Sequence, residues 1–535
     1  MKQLTGLDAS FLYMESKTNF GHVNGLGIYE RPSPEFDPYR AVLERYRRII
    51  GHLEPMQRRL VEVPFGLDHP YWIKDPDFDL EYHIRHIGLA PPGAADQLGE
   101  QVSRIVGRPM DRSRPLWEVY VIEGLADGRW ALLSKTHHAT VDGASGVILM
   151  QMIADHDEEL EPIEWHGEPV PSDAELLQRT AMHLMTNPVK GARLQLRLLR
   201  SIADTAGITS VSAAASKARE TLKTMAQGAE PADDEHERRV RVPISPAPPT
   251  PWNKSITAQR RFAMRSASLA NIKALKAATG CTVNDIVMAI CAGALREYLL
   301  KHDALPDEPL RAMVPVSIRT GNEEDPWTNW VSAIVADLPT DCADPIERVQ
   351  RSHEAMLVAK EQFDLIPADV LVDAAEFASP IVATAADRLS SRVANRVNLP
   401  ANVVISNGPG PRQPLYFAGA KLDNYIPVST ITDNMGLNIT VHSYLDRLDF
   451  GLIAARDLVP DLWDMADMHI DEVKRLFEAT GADWAEPQPP ASLRVGDAHT
   501  APKSGKQATK QAAKKSGTKA AGKKRGAKSA PAKSS

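Results

Sequence analysis

Residues 131 to 143 read ALLSKTHHATVDG, an apolar run that ends in two adjacent histidines, followed by an aspartate and a glycine. The preceding stretch, PLWEVYVIEGLADGRWALLSK, has two apolar segments around an Asp-Gly pair, which is a strong signal for a β-hairpin. The following stretch, GASGVILMQMIADHDEE, predicts a largely buried helix. The sequence therefore predicts an α/β lobe in which His137 and His138 lie at the end of a hairpin strand, just before a helix.

The order of predicted elements divides the chain into four parts. Residues 1–170 are predicted to form a first lobe, and residues 256–480 a second α/β lobe with a helix at TVNDIVMAICAGALREYL and a hairpin at GLNITVHSYLDRLDFGLIAA. Residues 171–255 are predicted to be a helical and then proline-rich linker, because RVPISPAPPTPWN suits neither a helix nor a central strand. Residues 481–535 are predicted to be disordered. A ligand cleft is expected between the two lobes.

Composition limits where the protein acts. Three cysteines are too few for a disulfide framework and favour a reducing compartment. The N-terminus lacks the pattern of a signal peptide, and no apolar run approaches the roughly 20 residues that span a bilayer. We therefore expect a cytoplasmic protein in at most peripheral contact with the inner face of the membrane or with lipid inclusions.

Two basic segments suggest such contact. Residues 501–535 contain eleven basic residues and no acidic one. This tail could solubilise the protein or bind anionic lipid, at roughly 1 kcal/mol per basic residue near the surface. It has no aromatic residues for base stacking, so no specific nucleic-acid partner is expected. Arg193, Arg197 and Arg200 would share one face of a helix, which could lie on a membrane or pack between the lobes.

The two histidines are predicted to have different surroundings, because consecutive side chains of an extended chain point to opposite faces. One should face a cavity and the other the protein interior, which also makes them a poor metal pair, and no metal is predicted. Asp142 suits the N-cap of the following helix and could also hold an arginine. Gly143 would allow close approach of a ligand. The positive potential at a helix N-terminus favours a neutral imidazole, which can accept a proton as a general base must.

HHATVDG resembles the HHxxxDG motif of the CoA-dependent acyltransferase superfamily, which includes chloramphenicol acetyltransferase and the condensation domains of peptide synthetases. More closely, the chain resembles the bacterial wax ester synthase/diacylglycerol acyltransferase family. The resemblance spans residues 4 to about 458 and rests on LTGLDASFLYME, PLW, HHATVDG, PTPWN, TVNDIVMAICAGALREYL, VPVSIR, SNGPGP and GLNITVHSY, in that order.

The resemblance implies a fold and a set of catalytic residues. It implies two chloramphenicol-acetyltransferase-like α/β lobes with the active site in a channel between them. His138 would be the general base and His137 its structural companion. Asp142 would maintain the geometry of the motif, Gly143 would keep the channel open, and Asn284 would be the residue of the second lobe that full activity requires.

The resemblance also implies residues that bind substrate. Pro115, Leu116 and Trp117 match a motif tied to acceptor binding or to the channel wall, although packing at the start of a strand explains them equally well. Asp285 belongs to the Asn-Asp pair of the second lobe. Asn284, the other member of that pair, and Ser317 are candidate donors to the oxyanion of the reacting thioester.

The implied activity is transfer of a long acyl chain from acyl-CoA to a hydroxyl group. The acceptor would be diacylglycerol or a long-chain fatty alcohol, and the product triacylglycerol or wax ester. Acyl-CoA is a substrate, and no cofactor is expected. Two alternatives stay open from the residues alone: a condensation-type acyltransferase that uses a carrier-bound thioester, and a catalytically weak protein that binds lipid surfaces.

Overall fold

The computed structural model describes residues 1–155, 160–186, 246–319, 327–364 and 399–485. The predicted basic helix face and the basic tail lie outside these ranges. The strands are β1 Lys2–Gln3, β2 His22–Tyr29, β3 Arg58–Val61, β4 Tyr71–Lys74, β5 Ile84–Gly88, β6 Trp117–Glu123, β7 Trp130–His137, β8 Arg260–Ser268, β9 Leu310–Ser317, β10 Val331–Leu338, β11 Val403–Gly408, β12 Tyr416–Phe417, β13 Ala420–Val428, β14 Leu437–Tyr444 and β15 Arg447–Ala455. The α-helices are α1 Gly6–Tyr13, α2 Pro38–Ile49, α3 Leu80–His83, α4 Ala95–Val106, α5 Gly143–Ile153, α6 Asp173–Thr186, α7 Leu269–Thr279, α8 Val283–Lys301, α9 Pro345–Asp364 and α10 Leu462–Thr480.

The first large sheet contains the predicted hairpin. Its strand order is β12-β13-β2-β7-β6-β5, and β6 pairs with β7 in antiparallel register, with Trp117 opposite Thr136. Gly128 in the connecting turn has φ of 81°, a left-handed conformation that glycine adopts at little cost. The helix predicted after the histidines is α5. The hairpin and the helix that follows it are thus confirmed. Strands β1, β4 and β3 form a small separate sheet.

The second large sheet has the order β10-β9-β11-β14-β15-β8. Its β14-β15 hairpin confirms the prediction made from the GLNITVHSY stretch, with Leu437 opposite Ala454. The predicted long helix is α8, where Thr282 accepts a hydrogen bond from the N–H of Asp285 and the Asp285 carboxylate accepts one from the N–H of Thr282.

The second half of the chain also contributes to the first sheet. Strand β13 pairs with β2, with Pro427 opposite Gly25, and β12 extends that edge. Residues 256–480 therefore supply strands to both large sheets. No local pattern in the sequence indicates this exchange, because the paired residues lie about 400 positions apart and pairing partners are not encoded by periodicity.

The two sheets are joined by a shared core and by a close contact between β13 and β15. Phe262 and Ile453 from the second sheet lie in one apolar cluster with Leu26 from the first sheet. A Cβ atom at Gly451 would lie 1.8 Å from the carbonyl oxygen of Pro427, so only glycine allows this approach. The close contact between β13 and β15 therefore requires glycine at position 451.

A buried carboxylate completes the joint. Asp449 of β15 is fully buried and accepts hydrogen bonds from the Asn424 side chain (3.1 Å) and from the backbone N–H of Tyr425 (3.2 Å), both on β13. Ser266 on β8 also donates to it. Burial raises the pKa of Asp449 to about 6, against the lowering effect of these hydrogen bonds. The carboxylate connects three strands from both sheets.

In the part of the chain that the structure describes, no single helix is both long and apolar enough to cross a bilayer. The bent pair α7 and α8 meets these criteria only when the two helices are taken together. Most of the residues of α8 are buried in the core of the second lobe.

Replacement of Asp449 by alanine should weaken the joint between the sheets. The Tyr425 N–H and the Ser266 hydroxyl would lose the Asp449 acceptor, and the Asn424 amide would lose one of its two acceptors, at about 1–3 kcal/mol for each unsatisfied group. We expect the free energy of unfolding, measured by urea titration of the full chain, to fall by about 3 kcal/mol. Asp467→Ala is the control, because Asp467 pairs with Arg265 at the surface and its loss should cost less than about 1 kcal/mol. Equal losses for the two variants would contradict this account of the joint.

Candidate active site

The two histidines lie where β7 ends and the turn into α5 begins. His137 is the last residue of β7 and pairs with His22 on β2. The N–H of His138 donates to the carbonyl oxygen of Gly21 at 2.7 Å, so His138 is still anchored to the same neighbouring segment. His137 is buried and His138 is partly exposed. The two rings have separate partners, as the alternation of an extended chain predicts.

The contacts of His137 assign its proton to Nε2. The backbone N–H of Ala139 donates to His137 Nδ1 at 3.0 Å, so Nδ1 is an acceptor and carries no proton in the neutral ring. Nε2 lies 3.2 Å from the Glu15 carboxylate. Burial raises the pKa of Glu15, but hydrogen bonds from His137, Gly21 and Arg112 outweigh it and hold the pKa well below its usual range. His137 is thus held between a backbone donor and an ionised carboxylate.

Nδ1 of His138 faces an acceptor oxygen, whereas Nδ1 of His137 faces a donor N–H. His138 Nδ1 lies 2.8 Å from Oδ1 of Asn329, which lies two residues before the start of β10 in the second sheet. The Asn329 amide nitrogen donates to the carbonyl oxygen of His138 at 2.7 Å. The ring of Phe11 stacks on the His138 ring with centroids 3.9 Å apart. Burial lowers the pKa of His138, partly offset by hydrogen bonds to Asn329 and to the residue's own backbone, and this lowering favours the neutral ring.

Asp142 makes both contacts that the sequence suggested. It is the N-cap of α5, where it accepts hydrogen bonds from the N–H and the hydroxyl of Ser145 at 2.8 and 2.7 Å. Its second oxygen accepts from Arg319 at 2.9 Å and from the N–H of Trp330 at 3.1 Å. Burial raises the pKa of Asp142, and the hydrogen bonds lower it further than burial raises it. The aspartate therefore connects the turn of the motif to the second lobe.

The remaining predicted residues of the first lobe differ in their surroundings. A Cβ at Gly143 would have no described atom within 4 Å, which fits the expectation that this position borders open space. Pro115, Leu116 and Trp117 are buried. The Leu116 carbonyl oxygen accepts from the N–H of His137 at 3.0 Å, and Trp117 donates to the carbonyl oxygen of Met56 at 2.7 Å. The described contacts of this motif are thus contacts with the protein interior, and one of them is with the backbone of His137.

The predicted residues of the second lobe lie at the ends of α8 and β9. Asn284 accepts a hydrogen bond from the side chain of Asn407 at 3.3 Å. Ser317 is exposed at the end of β9 and accepts from the N–H of Arg319 at 3.3 Å. Asp285 is buried within the cap of α8. None of the hydrogen bonds among the described residues joins these three side chains to the motif histidines.

One group of potential metal ligands occurs among the described residues. Cys281, Asp285 and His353 bring their ligand atoms within 4.8 Å of one another. Asp285 Oδ2 already accepts the N–H of Thr282 at 2.9 Å and pairs with His353 at 2.8 Å. These contacts account for the group as a link between α8 and α9.

Sequence reasoning missed three residues that contact the histidines. Phe11 lies within α1 and Glu15 just beyond it, in the LTGLDASFLYME stretch, for which no role in the site was predicted. Asn329 lies in an irregular segment before a strand, where no spacing or motif marks it. For Phe11 and Glu15 the sequence did contain a signal, because the LTGLDASFLYME stretch is part of the family resemblance. For Asn329 it contained none.

The same two-lobed architecture occurs in the starter condensation domain of rhizomide synthetase, with a TM-score of 0.50 and 13% identity over 91% of this chain and 95% of that one. This similarity concerns the fold alone. The acyltransferase class follows from matches to family models, which cover the HHATVDG motif and most of the second lobe. The match to a family model, "Wax ester synthase/diacylglycerol acyltransferase catalytic domain", covers residues 4–287, and a "WS/DGAT C-terminal domain" model matches residues 327–476. The chain belongs to the wax ester synthase/diacylglycerol acyltransferase family.

Individual relatives agree with this assignment. The chain is 36% identical to the Mycobacterium tuberculosis protein "Probable diacyglycerol O-acyltransferase tgs2", over 89% of this chain and 98% of that one. It is 32% identical to "O-acyltransferase WSD" of Acinetobacter baylyi, over 89% and 97%. The solved structure of the wax ester synthase/diacylglycerol acyltransferase from Marinobacter aquaeolei VT8 matches with a TM-score of 0.63 and 31% identity, over 90% and 100%. The protein is an O-acyltransferase, with an acyl donor and an alcohol-type acceptor as substrates.

Replacement of Asp142 by alanine should cost more than the loss of a helix cap. It removes the N-cap of α5, worth about 1 kcal/mol, and the buried partner of Arg319. We expect the free energy of unfolding to fall by about 3 kcal/mol in urea titrations. Asp37→Ala is the matched control, because Asp37 caps α2 through the N–H of Arg40 alone. A loss no larger than that of the control would show that the contact with Arg319 contributes nothing.

Proposed function

We propose that the protein transfers a long-chain acyl group from acyl-CoA to the hydroxyl of diacylglycerol or of a long-chain fatty alcohol, with His138 as general base. The observation that supports this most directly is the pairing of His138 Nδ1 with an acceptor oxygen, which leaves Nε2 without a proton. A neutral imidazole with a free nitrogen can take the proton of an attacking alcohol. The products are triacylglycerol and wax ester, respectively.

The proposed reaction needs one proton acceptor and no covalent enzyme intermediate. His138 Nε2 takes the hydroxyl proton as the alcohol oxygen bonds to the thioester carbon. The C–S bond then breaks, and the imidazolium returns its proton to the CoA thiolate. A positioned base contributes about 10²- to 10⁴-fold. The cysteines are buried, and burial raises the pKa of Cys291, so no thiolate nucleophile is proposed.

The remaining residues receive proposed parts in the same reaction. Asn284 and Ser317 are proposed to donate to the thioester oxyanion once substrate is bound, each worth roughly 10²- to 10³-fold. Asp285 is proposed to hold the start of α8 next to Asn284, and Gly143 to leave room for substrate. Pro115, Leu116 and Trp117 are proposed to support the acceptor side of the site. No cofactor is proposed, since acyl-CoA is the activated substrate.

The names of the relatives support both acceptors. The Mycobacterium tuberculosis relative is named for diacylglycerol, and the Marinobacter enzyme for wax esters and diacylglycerol together. A carrier-bound donor is not favoured, because the similarity to the condensation domain is confined to the fold whereas the family models cover residues of both lobes.

A product assay on the purified full chain tests this function. Radiolabelled palmitoyl-CoA is combined with hexadecanol or with dioleoylglycerol, and the ester is measured for wild type and His138→Ala. We expect the variant to lose about 10²-fold or more in rate, because the alcohol then has no base. The better acceptor distinguishes wax ester synthesis from triacylglycerol synthesis.

His183→Ala is the matched control, because it also removes a histidine, one on α6 that pairs with Asp68 of the first lobe at 3.1 Å. Equal rates for wild type and His138→Ala would disprove the assigned base. Absence of ester from every CoA donor, with activity recovered on carrier-bound donors, would establish the condensation-type alternative.

We further propose peripheral contact with a membrane or lipid inclusion, since both proposed acceptors reside there. An exposed loop supports this. Phe65 in the turn Pro64–Gly66 is 84% exposed, and Leu67 beside it is also exposed. Phe65 has φ of 61°, which is uncommon for a bulky residue and holds the ring outward at a cost in backbone strain. The basic residues 501–535 would add attraction to anionic lipid.

Vesicle binding separates the two contributions. Deletion of residues 501–535 should weaken binding of the full chain to anionic phosphatidylglycerol vesicles at low salt and leave binding to neutral phosphatidylcholine vesicles unchanged. Phe65→Ser should weaken binding to both, because it removes apolar area, whereas Val358→Ser, at an exposed apolar position of α9, should weaken neither. Vesicle binding unchanged by both the deletion and Phe65→Ser would contradict the proposed contact.

A further inference from the structure

The LTGLDASFLYME stretch folds into α1 and the residues after it, and this segment surrounds the two histidines. Ala9 and Leu12 of α1 lie in one apolar cluster with Leu116 and with Ala139 of the motif. From this base, Phe11 stacks on the His138 ring. The contacts of Asp8 are the most informative, because its partner Asn329 belongs to the second lobe.

Asp8 fixes which way the amide of Asn329 faces. The Asp8 oxygen Oδ1 accepts the backbone N–H of Asn329 at 2.9 Å and the side-chain amide nitrogen at 2.6 Å. The same amide nitrogen donates to the carbonyl oxygen of His138 at 2.7 Å. Both partners are acceptors, so only the NH₂ group can face them. The orientation holds whether or not Asp8 is ionised, because Oδ1 accepts a backbone N–H in either state.

The amide orientation then fixes the proton on His138. With NH₂ directed at Asp8 and at the His138 carbonyl, Oδ1 of Asn329 is directed at His138 Nδ1 at 2.8 Å. An amide oxygen has no hydrogen to donate, so Nδ1 must be the donor and Nε2 the free nitrogen. The other tautomer would require the amide to rotate and would place its oxygen against two acceptor oxygens.

We propose that Asp8 and Asn329 are positioning residues that select the reactive tautomer of His138: Asp8 orients the Asn329 amide, and the amide holds the proton of His138 on Nδ1. The proposal rests on His138 being the base of the proposed function. Neither residue needs to touch substrate. Their burial fits this part, because a buried carboxylate and a buried amide are costly unless their hydrogen bonds are used.

Removal of the amide tests the proposal. Asn329→Leu removes the amide oxygen that holds the proton on Nδ1, and we expect kcat to fall at least 10-fold with KM changed less than 3-fold. Asn402→Leu is the matched control. Asn402 is equally buried, accepts one N–H from Arg311 and donates twice, to Pro248 and Asn253, but it lies away from the histidines. It should lose stability similarly and retain kcat.

The pH profile distinguishes tautomer selection from loosened packing. Burial lowers the pKa of His138, and the charge of His137 lowers it as well. The hydrogen bonds to Asn329 and to the residue's own backbone, and the charge of Asp142, raise it. Because the base acts when unprotonated, the rate rises as pH increases through this pKa. Loss of the Asn329 hydrogen bond should move the acid limb of kcat/KM to lower pH. Loosened packing would admit water and move the limb to higher pH, which would overturn the proposal.

Variants of Asp8 test whether this carboxylate orients the Asn329 amide. Asp8→Asn keeps an oxygen that can accept both donors of Asn329, so its rate should stay within about 3-fold of wild type. Asp8→Leu removes that oxygen and should resemble Asn329→Leu in kcat and in its pH profile. Equal activity of Asp8→Leu and wild type would overturn the proposed orientation by Asp8.

A spectroscopic measurement reads the tautomer without turnover. Nitrogen-15 NMR of protein labelled at histidine distinguishes a protonated from an unprotonated ring nitrogen, and the His138 signals are those missing from His138→Ala. We expect a protonated Nδ1 and a free Nε2 in wild type, and loss of this pattern in Asn329→Leu. The reverse pattern in wild type would overturn the proposal.

The two hypotheses fail in different ways. If His138→Ala retains full activity, the proposed function is wrong, although the NMR pattern can still be present. If His138→Ala is inactive while Asn329→Leu keeps wild-type kcat and acid limb, the function stands and the tautomer proposal is wrong. Adding Asn329→Leu to His138→Ala should not reduce the residual rate further, because no base is left to orient, and a further 10-fold loss would indicate a structural part only.

Discussion

The buried contact between Asn329 and the first lobe is the interaction on which the arrangement of the site depends. Asn329 precedes β10 of the second sheet, yet all its described side-chain partners, Asp8 and His138, belong to the first lobe. Arg319, ten residues earlier in the chain, makes a similar connection to Asp142 of the first lobe. Buried polar groups tolerate little displacement without losing hydrogen bonds. The end of β9 and the start of β10 are therefore held in a defined position against the histidine turn.

The same contacts explain why two histidines occur side by side. His137 receives a backbone N–H on Nδ1, and its Nε2 lies 3.2 Å from the Glu15 carboxylate. His138 presents its Nδ1 proton to Asn329 and leaves Nε2 free. The two neighbours thus have opposite tautomers, each imposed by a different set of partners. Glu15 and Asp8 lie at either end of the α1 segment, so one short element of the first lobe sets the protonation pattern of both rings.

Local signals in the sequence predicted the elements around the site well. The Asp127-Gly128 turn, the alternation on either side of it, and the Asp142 cap are all short-range features, and the structure has each of them. For Trp117, packing at the start of a strand is one of the two interpretations that the sequence leaves open. What the sequence did not indicate is long-range: the pairing of β13 with β2 and the approach of Asn329 to His138. Such contacts depend on partners hundreds of positions apart, which neither periodicity nor turn chemistry specifies.

This division between local and long-range features has a consequence for the chemistry. HHATVDG supplies an imidazole, a cap and an open position, but an imidazole in water has no fixed tautomer. The tautomer that leaves Nε2 free is imposed by an amide of the other lobe, whose orientation is imposed in turn by Asp8. The first lobe on its own would therefore contain the complete motif and still lack an oriented base. On this argument, docking of the second lobe is part of activating His138, and the pairing of β13 with β2 helps to keep the lobes docked.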